Sequence, residues 1–331
     1  MFMQCNRREH VLRNDITLAI VIPVYNGEKS ISDLVDRLVK ELDEYELEIV
    51  LVDDHSPDNS EEICIDIQRK YSRIVSFISL AKNVGEHSAV LAGLNFSSSD
   101  FVVIMDDDFQ NPPNEVKKLV TAAMENEYDV VYTYYDKKKH SGFRNFGSWF
   151  NDKVANIMLH KPKDLYLSSF KLISKFLVSE IIKYKSPFPY IDGLILQITD
   201  NIGKVKVEHQ PRREGRSNYT MKKLISLWLN MFTNFSILPL RVSIILGFIF
   251  SIYGLIYGLA ILIERILNPD MVPGLASLIV SVSILSGVQL IAIGMIGEYV
   301  GRIFLAQNKK PQYTIKKMVV KVNDYEQQNE N

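Results

Sequence analysis

Asp106, Asp107 and Asp108 stand in a row directly after the apolar run from Phe101 to Met105. Bare carboxylates this close repel one another. A divalent cation such as Mg²⁺ or Mn²⁺ relieves the repulsion, because it takes oxygen ligands and shares its remaining positions with substrate phosphates. A buried strand that delivers acidic ligands at its carboxyl end marks an α/β crevice site. The same triplet, followed by Pro112 and Pro113, also fits a solvated turn leading into a helix N-cap. No His/Cys cluster suggests zinc. The chain has neither a Gly-x-Gly-x-x-Gly nor a Gly-Lys-Ser/Thr loop, which speaks against a dinucleotide site and a P-loop kinase.

The elements that must hold these aspartates are legible upstream. Residues 16–134 alternate short β-rich runs (16–22, 48–52, 74–80, 101–105, 130–134) with helical patterns over about 29–42, 60–71, 86–96 and 114–126. That alternation predicts βαβ units and an α/β fold with a mainly parallel sheet, whose ligands collect at the strands' carboxyl ends. Those ends are polar: Pro23-Val-Tyr25-Asn26, then Asp53-Asp54, then Asn83-Val-Gly85, then the three aspartates. Each could separately be a turn or a cap. Together they make one rim, on which Asp53 or Asp54 could hydrogen-bond a base or a ribose hydroxyl.

The rest of the chain is of another kind. Val242 to Ile263 gives 22 residues without a charge and Met271 to Gly297 another 27. Each run exceeds the roughly 20 apolar residues that cross a bilayer core, so the two are expected to form a transmembrane hairpin rather than a pair of buried core helices. Arg212, Arg213, Arg216, Lys222, Lys223 and Arg241 precede it, and Arg302, Lys309, Lys310, Lys316 and Lys317 follow it, against Arg265 alone in its loop. By the positive-inside rule both flanks are cytoplasmic, which gives a multi-pass protein of the cell inner (cytoplasmic) membrane. No signal peptide is expected in the charged first fifteen residues, and Cys5 and Cys64 are too few for a disulfide framework. The net charge of −1 does not discriminate among partners, and no nucleic acid is expected. Met221, Leu224, Ile225, Trp228, Met231, Phe232 and Phe235 recur at helical spacing, which suits an amphipathic helix at the bilayer interface or one packed on the protein's own core. Gly254-x-x-x-Gly258 permits close helix packing within or between chains, so a homo-oligomer is one possibility.

Val21-Ile-Pro-Val-Tyr-Asn26, Val52-Asp-Asp54 with Ser56, Asn83-Val-Gly85 and Asp106-Asp-Asp108 resemble the family-2 nucleotide-sugar glycosyltransferases of the GT-A fold. Gly85-x-His87-Ser88, Gln110-Asn-Pro-Pro113, Gly215-x-Ser217-x-Tyr219 and Gly297-Glu-Tyr-Val-Gly-Arg302 are similar to the polyprenyl-phosphate branch, which includes dolichyl-phosphate mannose synthases and bactoprenol-phosphate sugar transferases. The likeness runs from about residue 17 to 315 and implies five segments. These are an N-terminal extension (1–15), a Rossmann-like GT-A catalytic domain (16–214), the interfacial helix (215–236), the hairpin (237–303, spans about 242–263 and 273–297) and a cytoplasmic tail (304–331).

For the site, the resemblance implies nucleotide-sugar binding by the rim residues Pro23, Tyr25, Asn26, Asp53, Asp54, Asn83 and Gly85 together with Asp106, with Asp53 on the nucleotide. It makes Asp106 and Asp108 the aspartates of the D-x-D pattern and places Asp108 and Gln110 nearest a Mg²⁺ or Mn²⁺ ion; Asp107 is expected to turn outward. Arg144 and Ser148, one helical turn apart, match the family's acceptor-phosphate residues, and Lys137, Lys138 and Lys139, with Arg213, add positive charge or are simply solvated. Relatives often carry an acidic residue two positions before a glycine and then Phe-Arg or Leu-Arg, whereas this chain has Leu165-Tyr-Leu-Ser-Ser-Phe-Lys171, with Asp164 one residue away from the leucine that replaces the aspartate. Asp192 is a further carboxylate, either a helix N-cap or a catalytic base for a hydroxyl acceptor.

The implied activity is inverting, metal-dependent transfer of a sugar from a nucleotide donor, expected to be UDP-linked, to polyprenyl (undecaprenyl) phosphate at the membrane. A lipid phosphate is mostly dianionic near neutral pH and needs no base. Catalysis would then rest on Asp108, Arg144 and Ser148. The alternatives are transfer to a hydroxyl of a lipid-linked saccharide, with Asp192 as base, and a non-catalytic membrane scaffold.

Overall fold

The computed structural model describes residues 16–135, 161–162, 165–208, 210, 238–268, 274–308 and 310–322. Arg144, Ser148, Lys138, Asp164, Arg213 and the helix expected over 215–236 lie outside them. The chain divides into two compact units, residues 1–218 with 311–331, and residues 219–310.

The first unit follows the alternation of the sequence. It runs β1 (Thr17–Val24), α1 (Ile31–Glu41), β2 (Glu46–Asp53), α2 (Ser60–Lys70), β3 (Val75–Leu80), α3 (Glu86–Leu94), β4 (Phe101–Ile104), a 3₁₀ turn (Pro113–Glu115), α4 (Val116–Asn126) and β5 (Val130–Tyr134). Then come β6 (Lys171–Ser174), α5 (Lys175–Ile181), α6 (Ile191–Ile198), β7 (Ile202–Lys206) and, after residue 310, β8 (Ile315–Val319). The eight strands form one sheet in the order β7-β5-β6-β4-β1-β2-β3-β8. The β1–β2, β1–β4, β2–β3 and β5–β7 pairs are parallel, while β6 and β8 pair antiparallel with their neighbours. β1 and β3 have almost no solvent contact, which is why they read as unbroken apolar runs rather than as alternation. On α1, the buried residues Ile31, Leu34, Val35 and Leu38 recur at helical spacing.

β2 and β3 follow β1 on one side and β4 lies on the other, so the strand order reverses between β1 and β4. Their ladder ends at Val21↔Ile104, and Pro23, which has no N–H to offer a neighbour, lies beyond it. The β1–β4 ladder stops at this reversal, the place where open α/β sheets bind ligands.

Among the described residues, the second unit holds two helices, α7 (Leu238–Leu267, 30 residues) and α8 (Leu275–Gln307, 33 residues). Their most apolar stretches, Leu240–Glu264 and Ile284–Gln307, bury none of their residues inside the protein. Phe248 (67% exposed), Leu255 (67%) and Ile266 (71%) are bare. Length and exposed apolar surface together make the two helices candidate membrane spans, and among the described residues neither is packed as a core helix. A Cβ at Gly254 or Gly258 would meet nothing within 4 Å, so among the described residues these glycines make no close helix contact.

The element ends extend beyond the spans and segments expected from the sequence. The helices run past 263 and 297, and residues 311–322, expected as a tail, rejoin the sheet of the first unit through β8.

Candidate active site

The carboxyl ends of the four consecutive strands share one backbone feature. Asn26 (φ 60°), His55 (φ 56°), Gly85 (φ 91°) and Phe109 (φ 60°) each follow one of β1 to β4 and sit in the left-handed region. Three of these four are not glycine, so the rim carries local strain of the kind that collects at functional sites.

Bonds between the loops hold it. Asn26 N donates to Ser56 Oγ (3.2 Å), Gly27 N to Ser60 Oγ (2.9 Å) and Glu28 N to Asp58 Oδ2 (3.2 Å), which ties the loop after β1 to the loop after β2. Asp53 is 1% exposed and accepts the amide of Ser56 at 3.2 and 3.3 Å. Asp54, also expected to touch the nucleotide sugar, is turned to another task. Its oxygens accept Val84 N (2.7 Å) and Gly85 N (2.8 Å), while its carbonyl takes Asn83 Nδ2 (3.2 Å). Asp54 therefore fixes the third loop. Burial pushes its carboxyl up to about 6, against the pull of those two amides. Asp54→Asn places an NH₂ against one amide donor; it is expected to cost about 1–3 kcal/mol, read as a lower thermal midpoint together with weaker nucleotide binding.

The acidic loop is set by Phe109. Its ring is buried, with the Arg37 guanidinium carbon 5.3 Å from the ring centroid, and its left-handed backbone lets Gln110 N reach Asp108 Oδ1 at 3.0 Å. Gln110 O accepts from Gln210 N at 2.9 Å, and Tyr135 OH donates to Asn111 Oδ1 at 2.8 Å. Asp107 does not turn outward. Its Oδ2 is buried, and a Cβ on Gly27 would come within 2.4 Å of that atom, so the loop after β1 closes directly over it.

Asp106 faces the other way, toward residues that the sequence reading did not single out for the site. Ser169 Oγ donates to Asp106 Oδ2 at 2.6 Å. Burial first, then the Glu86 charge, pushes the Asp106 carboxyl up to about 7; Asp108 adds to the rise, while the Ser169 bond and Lys171 oppose it. Beside it, Lys171 is ion-paired with Asp192, and Tyr132 OH donates to Asp192 Oδ1 at 2.8 Å. The His87 ring meets Tyr190 edge-on at 4.9 Å, and burial holds its imidazole below the usual range.

Asp192, expected as either a helix N-cap or a catalytic base for a hydroxyl acceptor, is held inside this arrangement. The residue is 6% exposed and bound to a lysine and a tyrosine, whereas a base must reach the proton it takes. The residue that caps α6 is Tyr190. No local pattern pointed to Ser169, Lys171 or Tyr132; the only sequence signal was the departure from family pattern at 165–171.

The donor set fits a hard divalent cation. Asp106 and Asp108 are two carboxylates with one residue between them at the strand-order reversal, with the Glu86 charge also acting on Asp106. Among the described residues no group of three or more His, Cys, Asp or Glu could enclose an ion. The protein thus offers a partial oxygen set of the kind Mg²⁺ or Mn²⁺ completes with substrate phosphate.

Residues 19–181 match the family model described as glycosyl transferase family 2. The undecaprenyl-phosphate 4-deoxy-4-formamido-L-arabinose transferase of Proteus mirabilis (strain HI4320) is 31% identical over 310 residues, 91% of this chain and 94% of that protein. The protein of the same description from Edwardsiella ictaluri (strain 93-146) is 33% identical over 322 residues, 95% of this chain and 97% of that one. Among solved structures, glucosyl-3-phosphoglycerate synthase from Mycobacterium tuberculosis with uridine diphosphate matches at a TM-score of 0.49 and 18% identity, covering 65% of this chain and 79% of that one, too slight a likeness to argue from.

Proposed function

Because this chain belongs to glycosyltransferase family 2, we propose that it transfers a sugar from a nucleotide donor to undecaprenyl phosphate at the cytoplasmic face of a membrane. The observation that carries this is the pair of carboxylates Asp106 and Asp108 at the strand-order reversal, in a chain matched along 94–97% of the length of its undecaprenyl-phosphate sugar transferase relatives.

The residues divide the work. The rim of Tyr25, Asn26, Asp53 and the Asn83–Gly85 turn receives the nucleotide, with Asp54 holding that turn in place. Asp106, Asp108 and Gln110 hold a divalent cation, which when bound offsets the charge of the departing diphosphate. The acceptor phosphate oxygen bonds to the anomeric carbon as the bond to the nucleoside diphosphate breaks, and the centre inverts. Arg144 and Ser148, with Lys138 and Arg213 adding positive charge, hold the acceptor. No proton need be removed from a phosphate dianion, so positioning suffices. The engagement of Asp192 with Lys171 and Tyr132 favours this reading over a hydroxyl acceptor, which would need a base.

The membrane arrangement follows from chain order. β8 comes after the two long helices and pairs with β3, which precedes them, so the chain leaves and re-enters one side. The excess of Lys and Arg in both flanks makes that side cytoplasmic.

The donor to try first is the UDP-linked form of 4-deoxy-4-formamido-L-arabinose, the sugar named in both relatives. Purified protein with undecaprenyl phosphate, Mg²⁺ or Mn²⁺ and a panel of nucleotide sugars is expected to give a lipid-linked sugar by mass spectrometry. No such product from any donor, or product only from a hydroxyl acceptor, would refute the reading.

A further inference from the structure

We propose that Ser169 is a positioning residue for the cation site, holding Asp106 in the orientation in which it binds the ion. The proposal rests on the functional reading above in taking Asp106 as a cation ligand. It starts from register: β6 runs antiparallel to β4 with Lys171 opposite Ile104, so the residues entering β6 fall beside those leaving β4. Ser169 is thereby brought to Asp106 across 63 positions of sequence, and its hydroxyl donates to Oδ2 at 2.6 Å. A bond this short from a neutral hydroxyl to a carboxylate is charge-assisted and directional.

The hydroxyl is held from both sides. Ser168 Oγ is hydrogen-bonded to Thr133 Oγ1 (2.9 Å) and accepts from Phe170 N at 3.2 Å. Phe170 is fully buried, and its carbonyl accepts the Thr133 hydroxyl at 2.7 Å. Lys171 is fixed by Asp192. With both neighbours anchored, the backbone at Ser169 has little freedom, so its bond acts on Asp106 rather than the reverse. Without it, the half-buried Asp106 side chain loses the hydrogen bond that fixes its orientation, and a cation would have to order it on binding. Partners of this kind behind ligating carboxylates typically change metal affinity by about 10–100-fold.

The test measures Mn²⁺ uptake by the full-length protein in detergent, read from loss of the free-ion electron paramagnetic resonance signal, with and without UDP. Ser169→Ala is expected to weaken Mn²⁺ binding about tenfold or more, with UDP affinity in the absence of metal unchanged. Ser169→Thr, which keeps the hydroxyl, is expected to stay within about threefold of the original. In transfer assays the Ala variant should recover most of its rate when Mn²⁺ is raised, which a general loss of fold would not allow. Wild-type Mn²⁺ affinity in Ser169→Ala would overturn the proposal and leave the functional reading standing. So would a folded Ser169→Thr as weak as the Ala variant, which also decides the matter should Ser169→Ala fail to fold. Failure of the unaltered protein to take up Mn²⁺ under either condition would overturn the functional reading and this proposal together.

Discussion

Asp106→Asn is expected to lower sugar transfer by about a hundredfold or more while leaving the metal-free protein as stable as before or more so. The two effects have one cause. Asp106 is half-buried, and desolvation first, then the Glu86 charge with a smaller part from Asp108, pushes its carboxyl from an ordinary 3.8 to about 7. An unfolded chain gives up that proton near 3.8 and the folded chain only near 7, so the favourable contribution is complete below the lower value and is lost as pH rises through the upper one. In chelator, the thermal midpoint of the unaltered protein should therefore fall between about pH 4 and 7 on this account. The Asn variant should lack that component, since it has no charge to bury. Activity points the other way, because the charge that destabilises the empty site is what a cation needs. Transfer assays with Mn²⁺ and thermal unfolding in chelator at two pH values check both halves. An Asn variant keeping more than about a tenth of the rate would remove Asp106 from the cation site. Asp108→Asn should cost activity in the same direction, since it removes the second carboxylate.

Ending the chain at residue 310 is expected to destroy the catalytic unit, although every strand from β1 to β7 would remain. β8 covers the outer edge of β3, pairing Phe77↔Val319, Ile78↔Met318, Ser79↔Lys317 and Leu80↔Ile315. The strand's surroundings add Val322 N to Ser72 O (2.8 Å), Lys321 N to Ser76 Oγ (3.1 Å), and Gln312 Nε2 to the carbonyls of Tyr184 (2.9 Å) and Ser186 (2.7 Å). The Lys321–Glu48 and Lys316–Glu61 pairs lie at 3.2 Å. At roughly 1 kcal/mol per hydrogen bond the loss is on the order of 5 kcal/mol, comparable to the whole stability of many domains. β3 would also become an open edge of buried apolar residues, which invites pairing with other chains. The measurement is the yield of non-aggregated protein in detergent and its protease resistance, beside those of the full chain. A truncated protein with an unchanged melting temperature and rate would show that β8 contributes nothing.

Which parts of this protein the chain announces, and which it conceals, depends on the range over which each signal acts. Unbroken apolar runs and 3.6-residue periodicity are local, so β1 to β5 and α1 to α4 are readable within a residue or two, and the uncharged runs mark both long helices. β6 and β7 are short, and β8 is an edge strand whose burial pattern is mostly exposed; they exist because a neighbouring strand offers free N–H and C=O groups. The polar rim was legible because strands deliver their terminal residues to one end of the sheet.

Fold class, the two long apolar helices and the place of the aspartates at a strand end are all written in the order and spacing of neighbouring residues. Only the tertiary structure decided what each carboxylate does: Asp54 holds a turn, Asp107 faces Gly27, Asp106 is met by Ser169, and Asp192 is taken by Lys171 and Tyr132. A carboxylate's role is set by the charges and donors within a few ångströms of it. The fold brought those partners in from residues 21 to 80 positions away, a range over which no local pattern carries information.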